Sequence, residues 1–152
     1  MITGEVRNKI DGIWETFWTG GLTNPLSVIE QVTYLLFIKL LDDNQIKKER
    51  NAHALGVQPK NLLFDSGNYV DEKENIDEPY SNLRWSVFKH FEPQELFNTV
   101  KDKVFPFIKQ INNGKDTAFS KYMNDAVFMV PTPRVLVKVV DGLDDLDLNN
   151  KD

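Results

Sequence analysis

The segment YLLFIKLL, residues 34–41, is the longest apolar run in this chain and constrains the fold more than any other feature. It belongs to a longer stretch, LSVIEQVTYLLFIKLLDD, that follows Asn24 and Pro25. Asparagine followed by proline is a strong signal for the start of a helix, because asparagine can cap the first turn and proline lacks an N–H that would go unpaired there. Between Leu35 and Leu41 the helix is apolar nearly all round, which predicts a central, buried position.

Helical periodicity recurs on both sides of this segment. Between Glu5 and Trp18 the apolar residues are spaced by three and four, which predicts a helix with Trp14 and Trp18 in the core. A further apolar stripe begins at Pro93, and Pro106 is expected to kink or interrupt it.

The prolines at positions 131 and 133 precede a last helical stripe, whereas residues 52–80 have no period and collect glycine, proline and acids. That composition predicts a long acidic loop. No segment shows the alternation expected of a strand. The predicted fold is therefore all-α: a compact helical bundle with a long acidic loop and no substantial sheet, forming a single domain over residues 1–146.

Cysteine and histidine usage excludes several kinds of site. The 152-residue chain has no cysteine, and its two histidines, His53 and His90, are too few and too far apart to suggest a zinc cluster. Lys39 interrupts an apolar run that is already too short to cross a membrane, and the N-terminus carries charges where a signal peptide needs an apolar run. We therefore expect a cytoplasmic protein without a membrane partner.

The acidic residues are concentrated in two segments. Residues 65–79 contribute −5 and residues 141–152 contribute −4 to the net charge of −5, so the remaining 125 residues carry +4. A mildly basic body with two acidic segments permits a contact with nucleic acid, although it does not demonstrate one.

The segment LRWSVFKHF, residues 83–91, mixes cationic and aromatic residues. Its apolar residues span an arc of about 140° on a helical wheel, and Arg84 falls inside that arc. An arginine on a buried face must pair with a carboxylate or with carbonyls, which predicts that Arg84 ties this helix to an acid elsewhere in the fold. The alternative is a functional contact with phosphate or a partner by Arg84, Lys89 or His90.

No catalytic constellation is recognisable in the sequence. There is no glycine-rich loop that could hold a phosphate and no Ser/His/Asp set. The acid pairs Asp42-Asp43 and Asp144-Asp145 lie near helix ends or in the tail, and they are predicted to be solvated rather than catalytic. The residues alone thus indicate a helical, non-catalytic binding domain.

Three segments, taken in order, resemble the N-terminal helical domain of the modification (methyltransferase) subunit of type I restriction-modification systems. They are VTYLLFIKLLDD (32–43), LRWSVFKHF (83–91) and VPTPRVLVKVVDGLDDL (130–146). In that family a larger α/β domain follows, which binds S-adenosylmethionine and methylates an adenine flipped out of the DNA duplex. The resemblance implies that residues 147–152 begin the linker to that catalytic domain, which this chain lacks together with its cofactor loop.

The resemblance also implies a set of partners. They are the catalytic domain of the same subunit, the specificity subunit, a second modification subunit, the restriction subunit, and duplex DNA in the assembled complex. Contacts with DNA or a partner are expected from Arg84, Lys89, His90, Lys101 and Lys103, and contacts with DNA would be mostly to phosphate. No catalytic, cofactor-binding or metal-binding residue is predicted. A freestanding helical protein-interaction module is the alternative function.

Overall fold

A computed structural model of the protein describes residues 4–111 and 118–146. Helix α1 spans Gly4–Thr19 and helix α2 spans Pro25–Leu55. Asn24 caps α2 as predicted, since its side chain accepts a hydrogen bond from the Ser27 N–H at 3.2 Å. Gly56 ends the helix with φ +70°, a left-handed conformation that favours glycine.

The predicted acidic loop over residues 52–80 is only partly correct. Helix α2 extends into it, and residues 68–79 form a hairpin of strands β1 (Asn68–Asp71) and β2 (Ile76–Pro79). The strands pair antiparallel, with Tyr69 opposite Glu78 and Asp71 opposite Ile76. Tyr69 and Ile76 are the buried members of the hairpin, so two apolar side chains among many acids suffice to fix it on the core.

The middle of the chain consists of short helical pieces. A 3₁₀ turn at Tyr80–Leu83 leads into α3 (Trp85–Phe88), and α4 (Pro93–Thr99) continues through a π-helical turn at Val100–Val104 into α5 (Phe105–Gln110). The π-helical turn ends two residues before Pro106, which has no N–H to donate to the preceding turn. The interruption predicted at this proline therefore takes the form of a change in helical hydrogen bonding.

The last two helices close the bundle. Helix α6 spans Ala118–Asn124 and α7 spans Pro133–Asp144, and α7 packs against both α1 and α4. Gly142 allows α7 to approach α1, because a Cβ there would lie only 2.8 Å from Ile13 Cγ1. The core contains buried residues from α1, α2, α3, α5 and α7, among them Phe17, Leu35, Phe88, Ile108 and Leu136.

The fold is mostly helical, with the hairpin as a small two-stranded sheet. Within the described part of the chain, no helix is both long and apolar enough to cross a membrane. Residues 147–152, predicted as the start of a linker, lie outside the described residues.

Candidate functional site

Arg84 lies at the centre of a partly buried ionic cluster, which we call the arginine cluster and which comprises Arg84, Asp42 and Glu49. Arg84 Nε donates to Asp42 Oδ1 at 2.5 Å. Its two terminal nitrogens donate to the two carboxylate oxygens of Glu49, each at 3.1 Å. This is the planar, bidentate geometry in which arginine binds carboxylates most strongly. Arg84 therefore ties the 83–91 segment to α2, as the sequence analysis predicted for a buried arginine.

Both carboxylate oxygens of Asp42 accept hydrogen bonds within the fold. Its side chain is only 1% exposed, and its second oxygen accepts the backbone N–H of Ser86 at 2.8 Å. That hydrogen bond caps the first turn of α3 from a neighbouring helix. The prediction of a solvated Asp42 was therefore wrong, because its position at the end of the apolar run of α2 brings it against the start of α3.

The arginine cluster changes the acid–base chemistry of Arg84. Burial alone would lower the pKa of Arg84, but its hydrogen bonds to Glu49 and Asp42 outweigh burial and raise the pKa. The guanidinium thus remains charged, and all three of its hydrogen-bonding nitrogens are occupied within the fold.

Asp144 forms a second connection between the 83–91 segment and the rest of the bundle. Its Oδ1 accepts the indole Nε1–H of Trp85 at 2.9 Å, and its Oδ2 accepts from Lys89 Nζ at 3.1 Å. Burial alone would raise the pKa of Asp144, but these two hydrogen bonds and the positive charges of Lys89 and Lys39 outweigh it, so the pKa is lowered. Asp144, predicted as solvated, instead joins the end of α7 to α3.

Two buried glutamines on α2 bind backbone groups of segments that are distant in the sequence, and these contacts were not predicted. Gln45 Nε2 donates to the Phe64 carbonyl at 2.7 Å, and the Phe64 N–H donates to Gln45 Oε1 at 2.8 Å. Gln31 likewise donates to the Val127 carbonyl and accepts the Met129 N–H. A glutamine amide can pair with backbone as a neighbouring strand would, because it offers one donor and one acceptor side by side.

An exposed apolar face lies on the other side of α2, and we define it by Ile10, Trp14 and Trp18 of α1 with Leu26, Ile29 and Leu40 of α2. Trp18 is 52% exposed, Leu26 is 64% exposed and Ile29 is 52% exposed. The prediction that Trp14 and Trp18 lie in the core was wrong, because Ile13 and Phe17 occupy that position on α1. The apolar circumference of α2 is likewise buried on one side only, and Leu40 reaches the surface.

A groove runs beneath the apolar face between α1 and α2. It encloses about 260 Å³ and is lined by ten residues, of which only Thr33 is polar. The Thr33 hydroxyl donates to the Ile29 carbonyl of its own helix at 2.7 Å. Leu143 and Leu146 close the groove from the end of α7. Such a groove suits apolar side chains rather than a polar small molecule.

A third feature, between α1 and the start of α7, is polar. A cleft of about 570 Å³ is lined by residues that include Arg134, Lys138, Thr132 and Glu15. Arg134 and Lys138 are both exposed, and they lie one turn apart on α7. Neither cation was predicted from the sequence as a contact residue, although their spacing of four places them on one helical face.

The five predicted contact residues fall into two groups. Arg84, Lys89 and Lys103 all form ion pairs within the fold, and the partner of Lys103 is Glu78 at 2.5 Å. His90 is exposed, and so is Lys101, whose ammonium lies 5.9 Å from the centre of the Phe97 ring. The structure thus brings Arg84 and Lys89 together on one short segment and leaves His90 and Lys101 facing solvent.

The described residues contain no group of three or more histidines and acids that could hold a metal ion. Asp42 and Asp144 are hydrogen-bonded within the fold, and the groove between α1 and α2 is lined mostly by apolar side chains.

The family model of the HsdM N-terminal domain matches residues 6–143. No curated protein and no solved structure matches the chain. The matched range includes the whole of α2, the 83–91 segment and nearly all of α7, which are the three regions that the arginine cluster and Asp144 join. The chain belongs to the HsdM N-terminal domain family, and it is thus an N-terminal domain of the modification subunit of a type I restriction-modification system.

Proposed function

We propose that this chain is the non-catalytic supporting domain of a site-specific adenine DNA methyltransferase, in which it helps to assemble the subunits and to engage DNA. The observation that carries this proposal is the exposed apolar face on a domain of the HsdM family. The partners would be the catalytic domain of the same subunit, the specificity subunit, a second modification subunit and the restriction subunit.

The apolar face supports the assembly role. Exposed apolar patches of this kind, rimmed by polar residues, mark surfaces that another protein covers. Three of its large side chains are more than half exposed, namely Trp18, Leu26 and Ile29. An isolated domain gains nothing from leaving these side chains in water, whereas an assembled subunit would bury them.

The distribution of cations supports a DNA contact directed at phosphate. Arg84, Lys89 and Lys103 are occupied by carboxylates, so His90, Lys101, Arg134 and Lys138 are the better candidates to face a DNA backbone. Phosphate contacts position a protein on DNA without selecting a sequence, and sequence would be read by the specificity subunit. We therefore expect weak, salt-sensitive binding by the isolated chain. Tight, sequence-specific binding by this chain alone would contradict the proposal.

The first test is to sequence the source gene beyond the codon for Asp152. An open frame that leads into a glycine-rich S-adenosylmethionine loop and an Asn-Pro-Pro-aromatic motif would support the proposal. A natural stop codon would instead favour a freestanding helical interaction module.

The second test is reconstitution. The subunit encoded by that frame, with and without this domain, would be combined with its specificity subunit, and transfer of labelled methyl groups from S-adenosylmethionine to duplex DNA would be measured. We expect removal of the domain to reduce complex formation and methylation. Full assembly and full methylation without the domain would overturn the proposed role.

A further inference from the structure

We propose that the groove between α1 and α2 binds an amphipathic helix that carries lysine or arginine beside its apolar face. This inference rests on the proposed function, because it assigns a chemistry to the protein partner that covers the apolar face. The partner helix would place apolar side chains in the groove and its cations opposite the acids of α1.

The shape of the site favours a helix. Along α2 the residues that line the groove run from Val28 to Leu36, a rise of about 12 Å at 1.5 Å per residue. That length matches about two turns of a partner helix. Two neighbouring helices present a furrow into which the side chains of a third can pack, as in other helix-in-groove complexes.

The backbone of the site excludes the main alternative, which is the addition of a strand. The exposed apolar face is built from α1 and from the N-terminal half of α2, whose interior N–H and C=O groups are paired within their own helices. A strand would find no unpaired backbone edge to bind. Thr33, the polar residue of the groove, donates its hydroxyl to its own helix. The partner must therefore be held by side-chain packing.

The charges beside the two exposed tryptophans decide which kind of helix fits. A shallow surface depression next to the groove is lined by Asp11, Trp14, Glu15 and Trp18. Both acids are exposed, and neither forms an ion pair among the described residues, although Glu15 also lines the cleft that contains Arg134 and Lys138. Arg7, a cation on the same outer face, lies one turn before Asp11. Two free carboxylates beside indole rings favour a lysine or arginine, which gains both ionic and cation–π attraction there.

The same charges disfavour a second copy of this chain as the occupant. A two-fold symmetric contact places the same patch of each molecule against its equivalent. In a two-fold contact centred on this depression, Asp11 and Glu15 of one copy would approach Asp11 and Glu15 of the other, with like charges facing each other. A partner of opposite charge avoids this cost.

The test is a binding measurement with two fluorescent, stapled helical peptides of about 18 residues, long enough to span the groove. Both carry leucine at every third and fourth position, and the remaining positions hold lysine in one peptide and glutamate in the other. Fluorescence anisotropy would be measured with the 152-residue chain at low and at high salt. We expect the lysine peptide to bind at least about tenfold more tightly, with an affinity that falls as salt rises.

Two variants identify the groove as the site. Ile29→Glu places a carboxylate in the groove, and Leu55→Glu places the same charge on the exposed end of the same helix. Both substitutions make the chain more acidic, so non-specific attraction of the lysine peptide would increase equally. We expect Ile29→Glu to weaken binding at least about tenfold, because it buries an unpaired charge, whereas Leu55→Glu should not weaken binding.

A third variant keeps the test valid if Ile29→Glu fails to fold. Asp11→Asn combined with Glu15→Gln leaves the apolar groove intact, and we expect it to weaken binding of the lysine peptide about threefold to tenfold and to reduce the salt dependence. Equal binding of both peptides, no binding of either, or unchanged affinity in this variant would overturn the inference. A dimer seen by sedimentation and abolished by Ile29→Glu would also overturn it.

Failure here and failure of the proposed function can be distinguished. If the reconstituted complex assembles equally well with Ile29→Glu, the groove inference fails while the supporting role stands. If the domain is dispensable for assembly and methylation, the proposed function fails whatever the peptides do.

Discussion

The arginine cluster and the exposed apolar face both include residues of α2. Between these two regions the usual relation between polarity and burial is reversed, because an acid is buried and a leucine is exposed. In the cluster, Asp42 is almost fully buried, whereas on the apolar face Leu40, two residues earlier, is 45% exposed. The buried acid is stable there because all its hydrogen bonds are made within the chain. By contrast, nothing in the described part of the chain covers the exposed part of the Leu40 side chain. The difference suggests that one side of α2 is complete in the isolated domain and the other awaits a partner.

The largest expected effect comes from removing the arginine of the cluster. Arg84→Ala leaves the carboxylate of Asp42 buried without its partner, and we expect the free energy of unfolding to fall by about 3–5 kcal/mol. Urea denaturation at neutral pH measures this loss. Arg134→Ala is the control, because Arg134 is exposed, and it should change stability by no more than about 0.5 kcal/mol. Equal stability of the two variants would break the comparison.

The buried glutamine beside the cluster is expected to rank next. Gln45→Leu conserves bulk but leaves both backbone groups of Phe64 without their partner. We expect a loss of about 2–4 kcal/mol, since each unpaired buried group costs about 1–3 kcal/mol. Gln58→Leu is a suitable control at an exposed position. Faster amide exchange at Phe64 would accompany the loss, and protection like that of the wild type would argue that the bridge contributes little.

The tryptophan of the 83–91 segment tests the connection to α7. Trp85→Phe removes the indole donor to Asp144, and we expect destabilisation by about 1.5–3 kcal/mol, the range for hydrogen bonds to charged groups. Trp14→Phe, on the exposed apolar face, should have almost no effect on stability. Thermal unfolding of the two variants measures both changes. A larger loss for Trp14→Phe would mean that the apolar face contributes more to the fold than its exposure indicates.

Acid should weaken the same connection. The pKa of folded Asp144 is lowered, below an unfolded value of about 3.9. Ionised Asp144 therefore stabilises the fold above about pH 4, and this contribution is lost as the pH falls through the lower, folded pKa. We expect Asp144→Asn to be less stable than the wild type at pH 6 and to lose less stability on acidification. Parallel pH profiles for the two proteins, measured by urea denaturation, would contradict this.

The smallest effect is expected on the apolar face. Leu40→Ala should cost at most about 1 kcal/mol, because nearly half of the side chain is already in water. Leu35→Ala, on the buried side of the same helix, should cost about 2–5 kcal/mol. Thermal unfolding of the two variants therefore measures the asymmetry of α2 directly. Similar losses at both positions would show that the two sides of the helix are equally important to the isolated fold.

The sequence predicted the helices well where a local signal marks their start. Asn24 with Pro25, Pro93 and Pro133 each begin a helix in the structure, because capping and a fixed φ act within one turn. The need of Arg84 for an acidic partner was also predictable, since the cost of an unpaired buried charge does not depend on the fold. Which acids would pair with Arg84 was not predictable from the sequence.

The other features depended on contacts between distant segments. The hairpin escaped prediction because it is fixed by the packing of Tyr69 and Ile76 on the core rather than by alternation along its strands. Trp14 and Trp18 were placed in the core because periodicity identifies an apolar side of a helix but not which neighbour covers it. Gln31 and Gln45 gave no signal at all, since their value lies in backbone groups far along the chain.

The two glutamine bridges constrain the number of residues between Gln31 and Gln45 on α2. Gln31 and Gln45 point to the same side of the helix and bind two different segments of backbone. One residue inserted between them would turn one glutamine relative to the other by about 100° and move it by about 1.5 Å. Only one of the two segments could then remain bound. Substitutions on the outer side of α2 are compatible with this arrangement, whereas a change in the number of residues between the glutamines is not.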